Sequence, residues 1–120
     1  MSKTIMSVDD CEYIRILLRQ ILQDAGYGVV EAADGVEALG KLSGVDMIIT
    51  DMDMPGINGV QLARAVRDDP ATRGLPIIML SAINERDLGP AYRQSGINSY
   101  SPKPFDPDEL LATIRTVMPQ

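Results

Sequence analysis

Asp9 and Asp10 directly follow the apolar run Thr4 to Val8, and Asp51 follows the run Val45 to Thr50. Ser81 ends the run Pro76 to Ser81, and Lys103 closes Ser99 to Pro102. Three carboxylates brought together repel one another, so they either hold protons more tightly or recruit a counter-ion. Recruitment is the more productive outcome. Hard oxygen ligands with retained waters suit Mg²⁺, which also binds the oxygens of a substrate phosphate. A phosphoryl group in transit across such a site has its charge offset by the metal and by Lys103. Taken singly, an aspartate after a strand also reads as a helix cap or loop residue, and Asp10 alone fits either role. Capping does not account for Asp, Asp, Asp, Ser and Lys at successive run ends.

The apolar runs themselves predict the scaffold. Thr4 to Val8, Gly28 to Ala32, Val45 to Thr50, Pro76 to Ser81 and Ser99 to Pro102 read as five strands. The third and fourth are almost continuously apolar, as strands covered on both faces are. Between the first two, Ile14, Leu17, Leu18, Ile21, Leu22 and Ala25 line one face of a helix that ends near Gly26. Shorter helical stretches cover Gly35 to Leu42 and Val60 to Val66, with Asn58 able to cap the latter. Leu110, Leu111, Ile114, Val117 and Met118 stripe a last helix that Asp106 and Pro107 open. Gly89 and Pro90 interrupt the fourth helix, so Pro90 is expected to open a shortened one running to about Ser95 after a long loop.

Strands alternating with helices need crossover connections, which make the sheet parallel and place helices on both faces. The expected fold class is therefore α/β, a doubly wound five-stranded parallel sheet of flavodoxin-like order 2-1-3-4-5. In such sheets the functional crevice lies at the carboxyl ends of the strands, where all five polar residues would meet. Pro102 has no amide hydrogen to donate, so the fifth strand is expected at an edge.

With 120 residues and 45% apolar content the chain makes one core and one domain, residues 1–120. The lone Cys11 and the absence of His leave no zinc-ligand set, no phosphohistidine and no Ser-His-Asp or Cys-His machinery. A net charge of −6 opposes direct binding to nucleic acid. No apolar run approaches the roughly 20 residues that cross a bilayer, and no secretory leader is visible, so the expectation is a cytoplasmic protein without membrane partners.

Ser-Val-Asp-Asp at residues 7 to 10, Ile-Ile-Thr-Asp-Met-Asp-Met-Pro-Gly at 48 to 56, Ser81, and Lys-Pro-Phe at 103 to 105 occur in that order. Together they resemble the receiver domains of two-component response regulators, and the resemblance spans essentially the whole chain. It implies that Asp51 is phosphorylated by a sensor histidine kinase or a phosphotransfer protein. It implies that Asp10, Asp51 and the backbone carbonyl of Asp53 contact Mg²⁺, with Asp9 acting through a metal-bound water. Ser81 and Lys103 would each engage a phosphoryl oxygen, and the Lys103–Pro104 bond would be cis, a form tolerated before proline.

The same resemblance makes Tyr100 a switch. On phosphorylation Ser81 would move, Tyr100 would turn inward, and the surface of the fourth helix, fifth strand and fifth helix would change for a downstream protein target. The plainer alternative is a half-buried strand aromatic with its hydroxyl in water. Tyr92 could belong to the same face. Asp53 and Ile83 stand where the family tunes phosphoryl lifetime, and apolar Ile83 is expected to shield the phosphoryl from water. Cys11 is expected to be a small buried hydrophobe, and the seven methionines to fill the core.

Two rival classes share parts of the pattern. Asp51-Met52-Asp53 satisfies the bare Asp-x-Asp of haloacid-dehalogenase-type phosphohydrolases, although there the motif follows the first strand. A receiver fold that has lost its chemistry would be a non-phosphorylated interaction module, which retention of all five site residues opposes. No output domain is expected, and the signal is then expected to leave through protein binding.

Overall fold

The computed structural model describes residues 3–118. Its sheet holds five parallel strands, β1 (Thr4–Val8), β2 (Gly28–Ala32), β3 (Met47–Asp51), β4 (Ile77–Ser81) and β5 (Ser99–Pro102), in the order β2-β1-β3-β4-β5. This is the expected doubly wound arrangement. The sheet changes direction between β1 and β3, and a crevice opens there at the carboxyl ends of the strands. Register pairs Val8 with Thr50 and Asp51 with Leu80. Ser81 is paired with Pro102, and β5 is an edge strand as Pro102 requires.

Side chains alternate across each strand, so the sheet divides the one core expected from chain length into two layers, one on each face. Ile5, Ile49, Ile78 and Leu80 pack with Leu18 and Leu22 of α1 (Glu12–Asp24) and with Leu110 and Ile114 of α5 (Pro107–Val117). Met6, Val8, Ile48 and Ile77 face the other way, against Ala38 of α2 (Gly35–Leu39) and Leu62, Ala63 and Val66 of α3 (Gly59–Asp68). Each fully buried side chain of this size contributes about 1.5–3 kcal/mol. A third cluster joins Val60 and Met79 to Tyr92 of α4 (Gly89–Arg93). No helix among the described residues is long and apolar enough to cross a membrane.

The helix starts follow their capping residues. Asn58 and Gln61 form a reciprocal capping box on α3, and the Asp106 carboxylate accepts from the amides of Asp108 and Glu109 ahead of α5. Element ends move by a few residues from the sequence expectation. Asp51 is the last residue of β3 rather than the residue after it, β4 begins at Ile77, and α3 extends to Asp68. α2 stops at Leu39, three residues early, at the Gly40 cap. α4 is a single short helix with Pro90 in its first turn, preceded by a 3₁₀ turn over Glu85–Asp87. Gly89 has φ +85°, a conformation that a residue with Cβ rarely adopts, and it resets the chain direction before α4.

Two core expectations need correction. Cys11 is exposed, because it occupies the N-cap of α1, where the chain has already left the sheet's apolar layer. Met6, Met47, Met79 and Met118 are core residues, whereas Met52 and Met54 are only half-buried and Met1 lies outside the described residues.

At the end of the sheet away from the crevice, Arg67 of α3 makes a dense set of bonds. Its guanidinium donates to the carbonyls of Gly96 at 2.7 Å, Leu75 at 2.7 Å and Arg73 at 2.9 Å, and to Asn98 Oδ1 at 2.9 Å. Asn98 Oδ1 also accepts from the Ile77 amide at 2.8 Å. The approaches to β4 and β5 are thereby tied to α3.

Candidate functional site

The ladder between β1 and β2 runs one bond past the strand ends, since the Asp9 amide donates to the Ala32 carbonyl at 3.1 Å. That bond carries Asp9 into the crevice, where the residue is 1% exposed. Its Oδ1 accepts from the Cys11 amide at 2.9 Å and its Oδ2 from Lys103 Nζ at 3.2 Å. Asp10 is exposed at the rim. Asp51 arrives from β3 and is buried. One carboxylate oxygen from each of Asp9, Asp10 and Asp51 lies within 4.8 Å of the other two.

Backbone packing fixes Asp51 closely. Thr50 Oγ1 donates to the Asp51 carbonyl at 2.9 Å, and the first turn of α3 rests on the same peptide. A Cβ at Gly59 would stand 2.5 Å from the Asp51 carbonyl oxygen, so only glycine permits this approach.

Lys103 reaches in from the end of β5. Its amide donates to the Ser81 carbonyl at 2.9 Å, its peptide bond to Pro104 is cis, and Nζ lies 2.9 Å from Asp51 Oδ1. One ammonium thus serves two buried carboxylates. Burial holds the Asp51 carboxyl above the usual carboxylate range; Lys103 lowers it, Asp9 raises it again, and the Asp53 amide offsets only a little. Burial acts to lower Lys103, yet its bonds to Asp51 and Asp9 outweigh that and hold it above the usual lysine value. The two shifts differ in cause: burial dominates at Asp51, whereas at Lys103 the two neighbouring carboxylates override burial.

Ser81 is buried beside Leu80, the register partner of Asp51, and its Oγ accepts from the Ile83 amide at 3.0 Å. Tyr100 is half-buried, and its hydroxyl is not left to water: it donates to the Ile83 carbonyl at 2.7 Å and the Ser81 carbonyl at 3.3 Å. Ile83 itself is exposed. The Asp53 carboxylate stands outside the three-carboxylate group. Asp9, Asp10, Asp51 and Lys103, read from the sequence as one site, therefore do meet, with Ser81 and Tyr100 joined to them through the loop after β4.

Three contacts carry no sequence signal. Thr50 reads as an ordinary strand residue, Tyr92 of α4 donates at 2.8 Å to Glu85 Oε2 in the turn that precedes the helix, and Arg15 Nη1 donates to the Asp9 carbonyl at 2.6 Å. Arg15 stands three and seven residues before the buried Leu18 and Leu22, at the edge of the α1 stripe, but that spacing does not name its partner.

The donor set fits a hard divalent cation. All three clustered ligands are carboxylate oxygens, and no nitrogen or sulfur ligand joins them among the described residues.

A family model described as response regulator receiver domain matches residues 5–115. The chain is 37% identical over 116 residues to the chemotaxis protein CheY of Pseudomonas aeruginosa, covering 94% of each. It is also 37% identical over 118 residues to the phosphate regulon transcriptional regulatory protein PhoB of the same organism, where it covers 97% of this chain and 52% of that protein. The chain thus spans nearly all of one relative and about half of the other. Among solved structures, chemotaxis protein CheY4 of Vibrio cholerae superposes with a TM-score of 0.92 at 36% identity, covering 98% of this chain and all of that one.

Proposed function

The chain belongs to the response regulator receiver family, a family of phosphoacceptors, and from that premise we propose that Asp51 is the residue that takes the phosphoryl group. Membership excludes the dehalogenase-type reading of Asp51-Met52-Asp53 and implies a histidine kinase or phosphotransfer protein as donor and a protein as target. The observation that carries the assignment is the placement of Lys103 Nζ 2.9 Å from Asp51 Oδ1, with one oxygen each of Asp9 and Asp10 within 4.8 Å.

A carboxylate oxygen of Asp51 attacks phosphorus in line, the bond from phosphorus to the donor imidazole nitrogen breaks, and that nitrogen leaves with the bonding electrons. An acyl phosphate remains. The transfer asks for alignment and charge stabilisation more than for covalent help. Burial keeps bulk water from competing for the carboxylate, Thr50 and Gly59 hold its backbone, and Lys103 transfers its bond from Asp51 to a phosphoryl oxygen as charge moves outward. Mg²⁺, held by Asp10, Asp51 and the Asp53 carbonyl with Asp9 behind a bound water, would supply the remaining neutralisation of phosphoryl oxygens.

Output follows from the bonds that Ser81 and Tyr100 make. A new phosphoryl group adds roughly −1.5 to −2 charge and acceptor oxygens. Ser81 turns its hydroxyl toward them and gives up the bond from the Ile83 amide. The loop carrying Ile83 shifts, the Tyr100 hydroxyl loses its position, and the face formed by α4, β5 and α5 changes for the target protein.

Mass spectrometry after treatment with Mg²⁺ and a small phosphodonor tests the assignment. One added phosphoryl group is expected, absent from Asp51→Asn and from samples with chelator. An unmodified Asp51 in the intact protein would leave a non-phosphorylated interaction module instead.

A further inference from the structure

Asp10 is the least supported member of the acidic group. It is exposed, and no hydrogen-bond donor among the described residues reaches its carboxylate, whereas Asp9 and Asp51 share Lys103. Its direction is therefore set by its backbone. The Asp9 carbonyl and the Asp10 amide belong to one planar peptide, so whatever fixes that oxygen fixes the plane and the Cα positions at both ends. Arg15 Nη1 fixes it, at 2.6 Å.

The guanidinium is itself held. Arg15 Nε lies 3.5 Å from Glu31 Oε1, and the other oxygen of Glu31 accepts from Arg19 Nη1 at 2.7 Å. Glu31 belongs to β2 and lies opposite Ser7 of β1, two residues before Asp9. Only 18% of the Arg15 side chain is exposed. A planar fork with several donors suits this role, because it engages a carbonyl and a carboxylate at once in fixed directions.

We propose that Arg15 is a positioning residue of the cation site: it anchors the Asp9–Asp10 peptide to β2 and so sets how Asp10 presents its carboxylate to a divalent cation shared with Asp51. The inference rests on the metal reading of the acidic group given above. Its sign is opposite to simple electrostatics. Removing a positive charge beside three carboxylates strengthens cation binding, while releasing a held ligand weakens it.

Calorimetric titration with Mg²⁺ and Mn²⁺ paramagnetic resonance, each on the unphosphorylated protein, separate the two. Arg15→Gln is expected to weaken affinity about tenfold, the scale of residues that orient metal ligands. Arg15→Lys, which keeps one donor and the charge, is expected to recover part of that loss. Arg19→Gln removes a cation from the same Glu31 but leaves the Asp9 carbonyl bonded, and its affinity is expected to match wild type. Metal-free thermal unfolding of all four proteins checks that each folds. An unchanged or tighter affinity in Arg15→Gln, or an equal loss in Arg19→Gln, would overturn the inference. A wild-type protein that binds neither ion would instead remove the metal reading, and the inference with it.

Discussion

Replacing Asp51 by Asn removes one charge from a site that holds too many of one sign, and the structure gives the sizes involved. At an effective dielectric of about 20, the Lys103–Asp51 attraction across 2.9 Å amounts to roughly 6 kcal/mol. Repulsion between Asp51 and Asp9, which have one oxygen each within 4.8 Å, is about 3.5 kcal/mol on the same scale, and exposed Asp10 adds a second, more screened repulsion. Repulsion offsets more than half of the attraction, so desolvation of the buried carboxylate, several kcal/mol even after relaxation, decides the sign. Asp51→Asn is expected to be more stable than wild type at pH 7 without metal, by about 1–2 kcal/mol. Because burial raises the folded-state Asp51 carboxyl above its unfolded value, the ionised group lowers stability. That cost is absent below the unfolded value of about 3.9, appears as pH rises through it, and is complete above the folded value. Urea unfolding of both proteins in chelator between pH 4 and 8 measures the gap, and added Mg²⁺ should narrow it by stabilising wild type alone. A metal-free Asn variant less stable than wild type at pH 7, or a gap independent of pH, would refute the charge accounting.

Three further outcomes are expected. Ser7 Oγ is fully buried with no protein partner, so Ser7→Ala should unfold at equal or higher urea, with a gain of up to about 1 kcal/mol; a clear loss would reveal a satisfied hydroxyl. Tyr100→Ala should accept phosphate normally yet bind its target less tightly when phosphorylated, and undiminished binding in a pull-down rejects the switch. Ile83→Glu should shorten the phosphoryl lifetime by admitting water beside the acyl phosphate, read by the decay of radiolabelled protein; a lifetime equal to or longer than wild type contradicts the shielding role.

The centre of the sheet was legible because β3 and β4 are buried on both faces and write that burial as nearly uninterrupted apolar runs. Val45 to Thr50 and Pro76 to Ser81 could be placed within two residues for that reason, and the crossover rule then fixed which strand ends meet. Asp9, Asp10, Asp51 and Lys103 followed from topology plus position. Cys11 did not, since burial of a cysteine is a tendency of residue type, whereas its exposure here comes from sitting at a helix cap. The stripe of α1 was only partly buried: Leu18 and Leu22 are covered, but Leu17 and Ala25 lie on the exposed side. Tyr92 with Glu85, and Arg15 with the Asp9 carbonyl, are contacts between a side chain and a partner chosen by loop shape, which periodicity does not encode.

The clasp that Arg67 makes gives β4 and β5 a root and a tip. With their approaches held together through the Leu75, Gly96 and Asn98 acceptors, the two strands resemble the tines of a fork set in a common handle. Under the proposed switch, a push delivered near Ser81 would move the tips more than the tied handle, and so would be felt by Tyr100, whose hydroxyl bonds the loop after Ser81. Loosening the handle would let the same push slide one tine past the other, and the message would fade before it reached the surface.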